Sequence, residues 1–184
     1  MTRFDIKESF YDPGDCFHRR RQVRGTLNGQ LALPFSGEKL GLGTYGKNGC
    51  GIIALYNALQ LLGRPQPLGE IGTDFVRHHR LLFGGLGGTA PRCIAAFFRE
   101  QGVPCAGSFS CRRLGETCAA GSVIVFTVMN ARHPFRGFHT MAAQKGPGGF
   151  TVYNVGPYDS GSRRCSTLRD AFPGGVFIRG FRVG

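Results

Sequence analysis

The hydrophobic rhythm of the chain changes near its middle. From Cys50 onward, Ile52, Leu55, Tyr56, Leu59 and Leu62 recur three or four residues apart and draw an apolar stripe down a helix over 50–62. Gly63 and Pro65 stop it. The spacing predicts a second helix over 68–82 and a third over 91–101, where Pro91 suits a first turn and Gly102 a C-terminal cap. A glycine-rich stretch from Gly84 to Gly88 separates the two. Beyond Val103 the texture becomes that of strands. Val123-Ile124-Val125-Phe126-Thr127-Val128 is a β-branched run fit for a buried strand within 121–129, and 137–144, 150–155 and 175–183 read as further strands. The turn-like Lys145-Gly146-Pro147-Gly148-Gly149 predicts an antiparallel hairpin. Helices first and strands afterwards argue for an α+β fold rather than repeated βαβ units.

Residues 1–35 are polar and basic with weak periodicity, so they are expected to form a basic N-terminal extension, with the folded domain over 36–184. The 184-residue chain is 41% hydrophobic and 18% charged, with sixteen Phe and no Trp, a composition able to fill one globular core. Its formal charge of +12 attracts anionic partners at low salt. The charge sits in short clusters, Arg19, Arg20, Arg21 and Arg24, then Arg112 and Arg113, with no nucleic-acid-binding motif around them. A solvated basic surface is therefore the favoured reading, and nucleic acid a disfavoured partner.

Seven cysteines leave at least one thiol unpaired, and their spacing lacks the close pairs of zinc sites. The sequence calls for no metal, nucleotide or organic cofactor. It has no signal-like apolar stretch and no run of membrane-spanning length, so a cytoplasmic location and no membrane partner are expected.

Chemistry concentrates at three positions. Asn48-Gly49-Cys50-Gly51-Ile52 sets a cysteine at the start of an amphipathic helix, where unpaired backbone N–H groups and the positive end of the dipole favour a thiolate. His139 follows Gly137 and Phe138 at the start of a predicted strand. Asn154 lies on the paired strand, near the open end of the same hairpin, within reach of an imidazole it could orient. Each of the three also has an ordinary reading: a buried structural cysteine, a hydrogen-bonded histidine, and a turn-forming Asn before Gly156-Pro157. Asp159 is the alternative orienter of His139. His78 and His79 suit a solvated basic helix, His133 a loop before Pro134, and Cys93 an apolar helix face.

Taken together, Cys50-Gly51, the helix, glycine and apolar strand of 114–128, Phe138-His139-Thr140 and Val152-Tyr153-Asn154-Val155-Gly156-Pro157 resemble the papain-like cysteine peptidases. The bacterial branch that cleaves bacteriocin leaders after a double glycine is the nearest likeness. The resemblance spans roughly residues 48–184. It implies a papain-like α+β fold, with a helical N-terminal half carrying the cysteine and an antiparallel β-sheet C-terminal half carrying His139 and Asn154. It also implies a triad of Cys50 as nucleophile, His139 as general base and Asn154 as orienter, acting on a peptide or protein substrate by acyl transfer at an amide, most simply peptide hydrolysis. A deamidase or transamidase effector would use the same triad, and a non-catalytic basic module for nucleic acid or an acidic protein is the alternative of a different class. The Cys50 N–H would be one oxyanion donor. Thr44 stands where the family carries a glutamine as the second, which leaves Asn48, or Gln30 if the N-terminal segment folds back, to supply it. A cleft mouth is expected from the glycines at 84–88 and 146–149.

Overall fold

A computed structural model describes residues 23, 25–130 and 137–184. Two short strands, β1 (Lys39–Leu40) and β2 (Gly43–Thr44), pair antiparallel and lead into a single helical turn, α1 (Tyr45–Asn48), and then into the central helix α2 (Cys50–Leu61). Two more helices, α3 (Leu68–Arg77) and α4 (Pro91–Glu100), complete the helical half. The chain continues through β3 (Cys105–Ser108), α5 (Cys111–Glu116), β4 (Val123–Met129), β5 (Phe138–Gly146), β6 (Gly149–Tyr153), β7 (Arg163–Cys165) and β8 (Val176–Val183). Six of these strands form one antiparallel sheet in the order β3-β8-β4-β5-β6-β7. The helices-then-sheet order is therefore as expected, and the hairpin turns at Pro147-Gly148.

Both sheet faces are covered, which explains why β4 reads as a continuous apolar run instead of an alternating one. Val123 and Val125 face the main core with Ile52, Leu55, Leu59, Phe75, Phe97 and Phe98. Ile124, Phe126 and Val128 point the other way, into a second cluster with Met141, Phe150, Val152 and Phe172 beneath α5. Burial of each large apolar side chain contributes about 1.5–3 kcal/mol, so these two clusters dominate what holds the domain together.

Three features depart from the sequence expectation. Helix α2 is buried on every side from Cys50 to Leu59, not along one stripe; Gly51, Ala54 and Ala58 let neighbours close in where a larger side chain would hold them off. Helix α3 stops at Arg77 and does not run to 82, because His79 turns left-handed at φ 52° and the chain doubles back, Arg80 N–H bonding to the Phe75 carbonyl at 2.9 Å. The Arg80 side chain then lies buried between Asp74, at 2.7 Å, and Glu100. The third concerns the N-terminus. The boundary expected after residue 35 falls inside the packing, since Leu27 and Phe35 belong to the main core. Residues 1–22 and Arg24, with all of the first basic cluster, lie outside the described residues, as do Cys16 and His133. Among the described residues no helix is long and apolar enough to cross a membrane.

Candidate active site

Gly49 is the joint that presents the cysteine. It caps α1, its N–H bonding to the Tyr45 carbonyl at 2.9 Å, and its own carbonyl accepts the first bond of α2 from Ile53, also at 2.9 Å. A side chain here would meet that Tyr45 carbonyl at 2.4 Å, so the sharp helix-to-helix corner requires glycine. Cys50 is thereby the first residue of α2, with its thiol buried at the helix end where N–H groups lack helical partners. Gly51 is needed for a different reason: a Cβ would sit 2.2 Å from the Thr89 hydroxyl, which packs against the first turn.

Strand β5 delivers His139 to this point. Its side chain is hydrogen-bonded with Cys50, while the Phe138 carbonyl lies 3.9 Å from the sulfur. The other ring nitrogen, Nε2, lies 2.6 Å from the backbone carbonyl oxygen of Asn154. A carbonyl only accepts, so Nε2 carries the proton and donates it, which leaves Nδ1 to face the thiol. Burial alone would push the Cys50 thiol up, but the hydrogen bond and charge of His139, with the N–H groups of Thr140 and Gly51, overcome it and bring the thiol below its usual range. Burial likewise opposes a charge on His139, yet the bonds to Cys50 and to the Asn154 carbonyl raise the imidazole above its usual range. Both directions favour a thiolate–imidazolium pair. Cys105, Cys111, Cys118 and Cys165 contrast with this, all being pushed up by burial.

Asn154 is thus beside His139, as the chain order suggested, but its backbone and not its carboxamide makes the contact. The β5–β6 ladder ends at Ala142–Tyr153; Asn154 then turns left-handed at φ 57°, a conformation Asn tolerates better than most residues. The turn swings its carbonyl toward the imidazole. Its remaining polar groups all go to the segment 27–31. The Asn154 N–H donates to Asn28 Oδ1 at 2.8 Å, its Oδ1 accepts from the Gln30 N–H at 3.3 Å, and its Nδ2 donates to Gln30 Oε1 at 3.2 Å. This segment is a strap across the back of the site. It is tied to α2 by Asn57, which accepts from the Leu27 N–H at 2.7 Å and donates to the Leu27 carbonyl at 2.8 Å. At its other end Leu31 N–H bonds to the Pro157 carbonyl at 2.8 Å.

The strap is the element around this pair that sequence reasoning missed. A signal for it exists: Leu31, Leu33 and Phe35 alternate with Ala32 and Pro34, a short period-two pattern matched by their burial. Asn28 and Asn57 had no such signal, since a buried Asn is marked only by the distant backbone it satisfies.

The oxyanion candidates are placed as follows. Gln30 folds back, is buried, and spends Nε2 on the Gly46 carbonyl at 2.8 Å. Asn48 is half-buried just before Cys50, with Nδ2 donating to the Leu86 carbonyl at 2.6 Å. Thr44 caps α1, its hydroxyl accepting from Lys47 N–H. Asp159 turns its carboxylate to Arg163 at 3.2 Å, on the surface. His78 pairs with Asp74 on the exposed end of α3, and Cys93 packs against the main core. Of the two glycine stretches expected at the mouth, 84–88 lies against the turn just before Cys50, its Leu86 carbonyl accepting from Asn48 Nδ2 at 2.6 Å. The stretch 146–149 does not, because it lies seven strand residues beyond His139, about 23 Å along β5. Among the described residues no group of three His, Cys, Asp or Glu side chains is arranged to hold a metal ion.

No protein-family model matches the sequence, and no curated protein does. Solved structures do match in fold. The peptidase domain of Streptococcus ComA, a bifunctional ABC transporter involved in quorum sensing, aligns at a TM-score of 0.51 and 14% identity over 73% of this chain and 90% of its own. A double-glycine-motif protease from an AMS/PCAT transporter, solved with its leader peptide, aligns at 0.50 and 14% identity over 88% of this chain and 98% of its own. This chain therefore shares the mixed helix-and-antiparallel-sheet fold of these two peptidase domains.

Proposed function

We propose that this protein is a cysteine peptidase that cleaves a peptide bond through a Cys50–His139 dyad held by the backbone of Asn154. The observation that carries the reading is the pairing of a thiol at a helix N-terminus with an imidazole whose far nitrogen is committed to a carbonyl. In the first step the Cys50 thiolate attacks the scissile carbonyl, and a C–S bond forms as the π electrons move onto oxygen. The Cys50 N–H, with Asn48 as second donor, receives that oxyanion. His139 then gives its Nδ1 proton to the leaving amine as the C–N bond breaks. Water, deprotonated by the same nitrogen, releases the acyl group and restores the thiol. Deamidation and transamidation would use these groups unchanged, with ammonia leaving or an amine entering in place of water. The fold shared with a protease crystallised on a leader peptide favours an extended peptide as substrate.

The test is alkylation of the reduced protein near neutral pH, with the modified residue located by mass spectrometry and a peptide library supplied in parallel. Fast modification confined to Cys50, slowed by His139→Ala, is expected together with peptide cleavage that Cys50→Ala abolishes. Indiscriminate modification of several thiols, unchanged in His139→Ala, would return the fold to the basic binding-module reading. The oxyanion assignment has its own check: Asn48→Ala should lower kcat by about a hundredfold or more with little change in KM, the usual effect of losing such a donor.

A further inference from the structure

We infer, resting on the dyad proposed above, that Gln30 is a positioning residue: its carboxamide ties the backbone that holds His139 to the turn that presents Cys50. One end of the amide accepts from Asn154 Nδ2 at 3.2 Å, and the other donates to the Gly46 carbonyl at 2.8 Å. Gly46 belongs to α1, the single turn ending at the Gly49 corner; Asn154 supplies the carbonyl that fixes Nε2 of His139. The two halves of the dyad come from different halves of the fold, and this one side chain spans them behind the reacting atoms.

Gln30 is itself held firmly enough for this task. It is buried, its own N–H bonds to Asn154 Oδ1 at 3.3 Å, and the next residue is pinned to Pro157. Gly29 before it takes φ 63° with its backbone pressed on Asp159, where a Cβ would approach the Asp159 carbonyl to 2.9 Å. The chemistry required is specific: an acceptor for Asn154 and a donor for Gly46 on one rigid plane of this length. Glutamate keeps the acceptor but sets a negative oxygen against the Gly46 carbonyl, and alanine keeps neither. Loss of the tie lets the Asn154 carbonyl drift from Nε2, and the imidazolium that stabilises the thiolate weakens.

The experiment follows the alkylation rate of Cys50 against pH in the whole protein, for the parent, Gln30→Ala, Gln30→Glu, His139→Ala and Tyr56→Phe, with thermal melting of each. Tyr56→Phe is the control for loosening the N-terminal segment ahead of the strap, since the Tyr56 hydroxyl donates to the Val23 carbonyl at 2.6 Å, outside residues 27–31. The expected result is a Cys50 reaction about tenfold slower on the acid side of the profile in both Gln30 variants, the consequence of a smaller thiolate fraction at fixed pH. Tyr56→Phe lowers the melting temperature and leaves the profile in place. If Gln30→Ala does not fold, Gln30→Glu, which preserves size and the Asn154 contact, decides. Folded Gln30 variants with the parent profile, or an equal shift in Tyr56→Phe, overturn the positioning role while leaving the dyad intact. A parent no faster than His139→Ala overturns the dyad itself, and the role of Gln30 with it.

Discussion

The two arms of the site are built by different means. On the cysteine side the presenting residues are local: Gly49 makes the corner, α2 supplies unpaired N–H groups, and Gly51 leaves room for Thr89. On the histidine side nothing is. His139 takes its orientation from the carbonyl of a residue 15 positions away, which is held in turn by residues 124 and 126 positions earlier in the chain. A mostly local arm is the less sensitive to changes elsewhere in the chain. A non-local arm depends on the whole domain being closed, so the imidazole is correctly aimed only when strap, helix and sheet are docked together.

Replacing Asn154 should break that contrast with the largest effect. The contact to His139 is made by backbone, so the side chain matters through the strap and through the left-handed φ. Asn154→Leu loses the two carboxamide hydrogen bonds to Gln30 and forces a branched side chain into φ 57°, a combined loss of about 3–5 kcal/mol of stability with most of the activity. Asn154→Gly keeps φ at no steric cost and keeps the carbonyl, so it should retain clearly more activity per folded molecule than Asn154→Leu or Asn154→Ala. Thermal melts paired with cleavage rates check this. If all three variants are equally inactive while folded, the carboxamide ties to Gln30, and not the left-handed φ, set the position of the Asn154 carbonyl.

On the opposite arm Gly51→Ala is the corresponding change and a smaller one. The added methyl meets Thr89 at 2.2 Å in a buried first turn, so either Thr89 or the helix start shifts, at about 1–3 kcal/mol. Cys50 alkylation should slow with it, since the helix end that faces the sulfur is what moves. Thr89→Gly, by removing the hydroxyl and the Cβ that would lie 2.2 and 2.3 Å from the added methyl, should restore most of the loss in the double variant, read as a coupling in a double-mutant cycle on melting and alkylation rate. Additive losses would show that the clash is not the cause.

The same contrast explains what the sequence made legible. Helical spacing, a glycine corner and a β-branched run report local physics, and they led directly to Cys50, to α2 and to the β4–β5–β6 meander that carries His139. The strap was hidden because its role is long-range: Gln30 and Asn28 are polar residues in a weakly periodic stretch, and only the folded backbone of Asn154 gives them partners. Asn154 itself was readable as a turn residue before Gly156-Pro157 and as an orienter of His139, and the structure joins the two readings, since the left-handed turn is what aims the carbonyl. The early end of α3 was hidden for a similar reason. Arg80 leaves a good helical pattern to reach Asp74 and Glu100, an arrangement settled by tertiary contacts that outweigh propensity.

The pH dependence sharpens the comparison most finely, because its two limbs bound the span over which the two arms are paired. As pH rises, the Cys50 thiolate forms earlier than an ordinary thiol would allow, since its value is lowered; the rising limb of kcat/KM therefore lies on the acid side of the usual cysteine range. His139 keeps its proton longer than an ordinary histidine, since its value is raised, so the falling limb, where the leaving amine loses its acid, lies on the alkaline side of the usual histidine range. The plateau between them is the span over which the ion pair persists, and the two limbs belong to the pair and not to either residue alone. Measuring Cys50 alkylation isolates the first limb. In His139→Ala the opposing forces lose their largest member, burial prevails as it does at Cys105 and Cys118, and the rising limb should move toward the range of those thiols. A limb that stays in place in that variant would assign the lowered thiol to the helix end and the Thr140 and Gly51 amides alone, and the non-local arm would then contribute its general acid but not its charge.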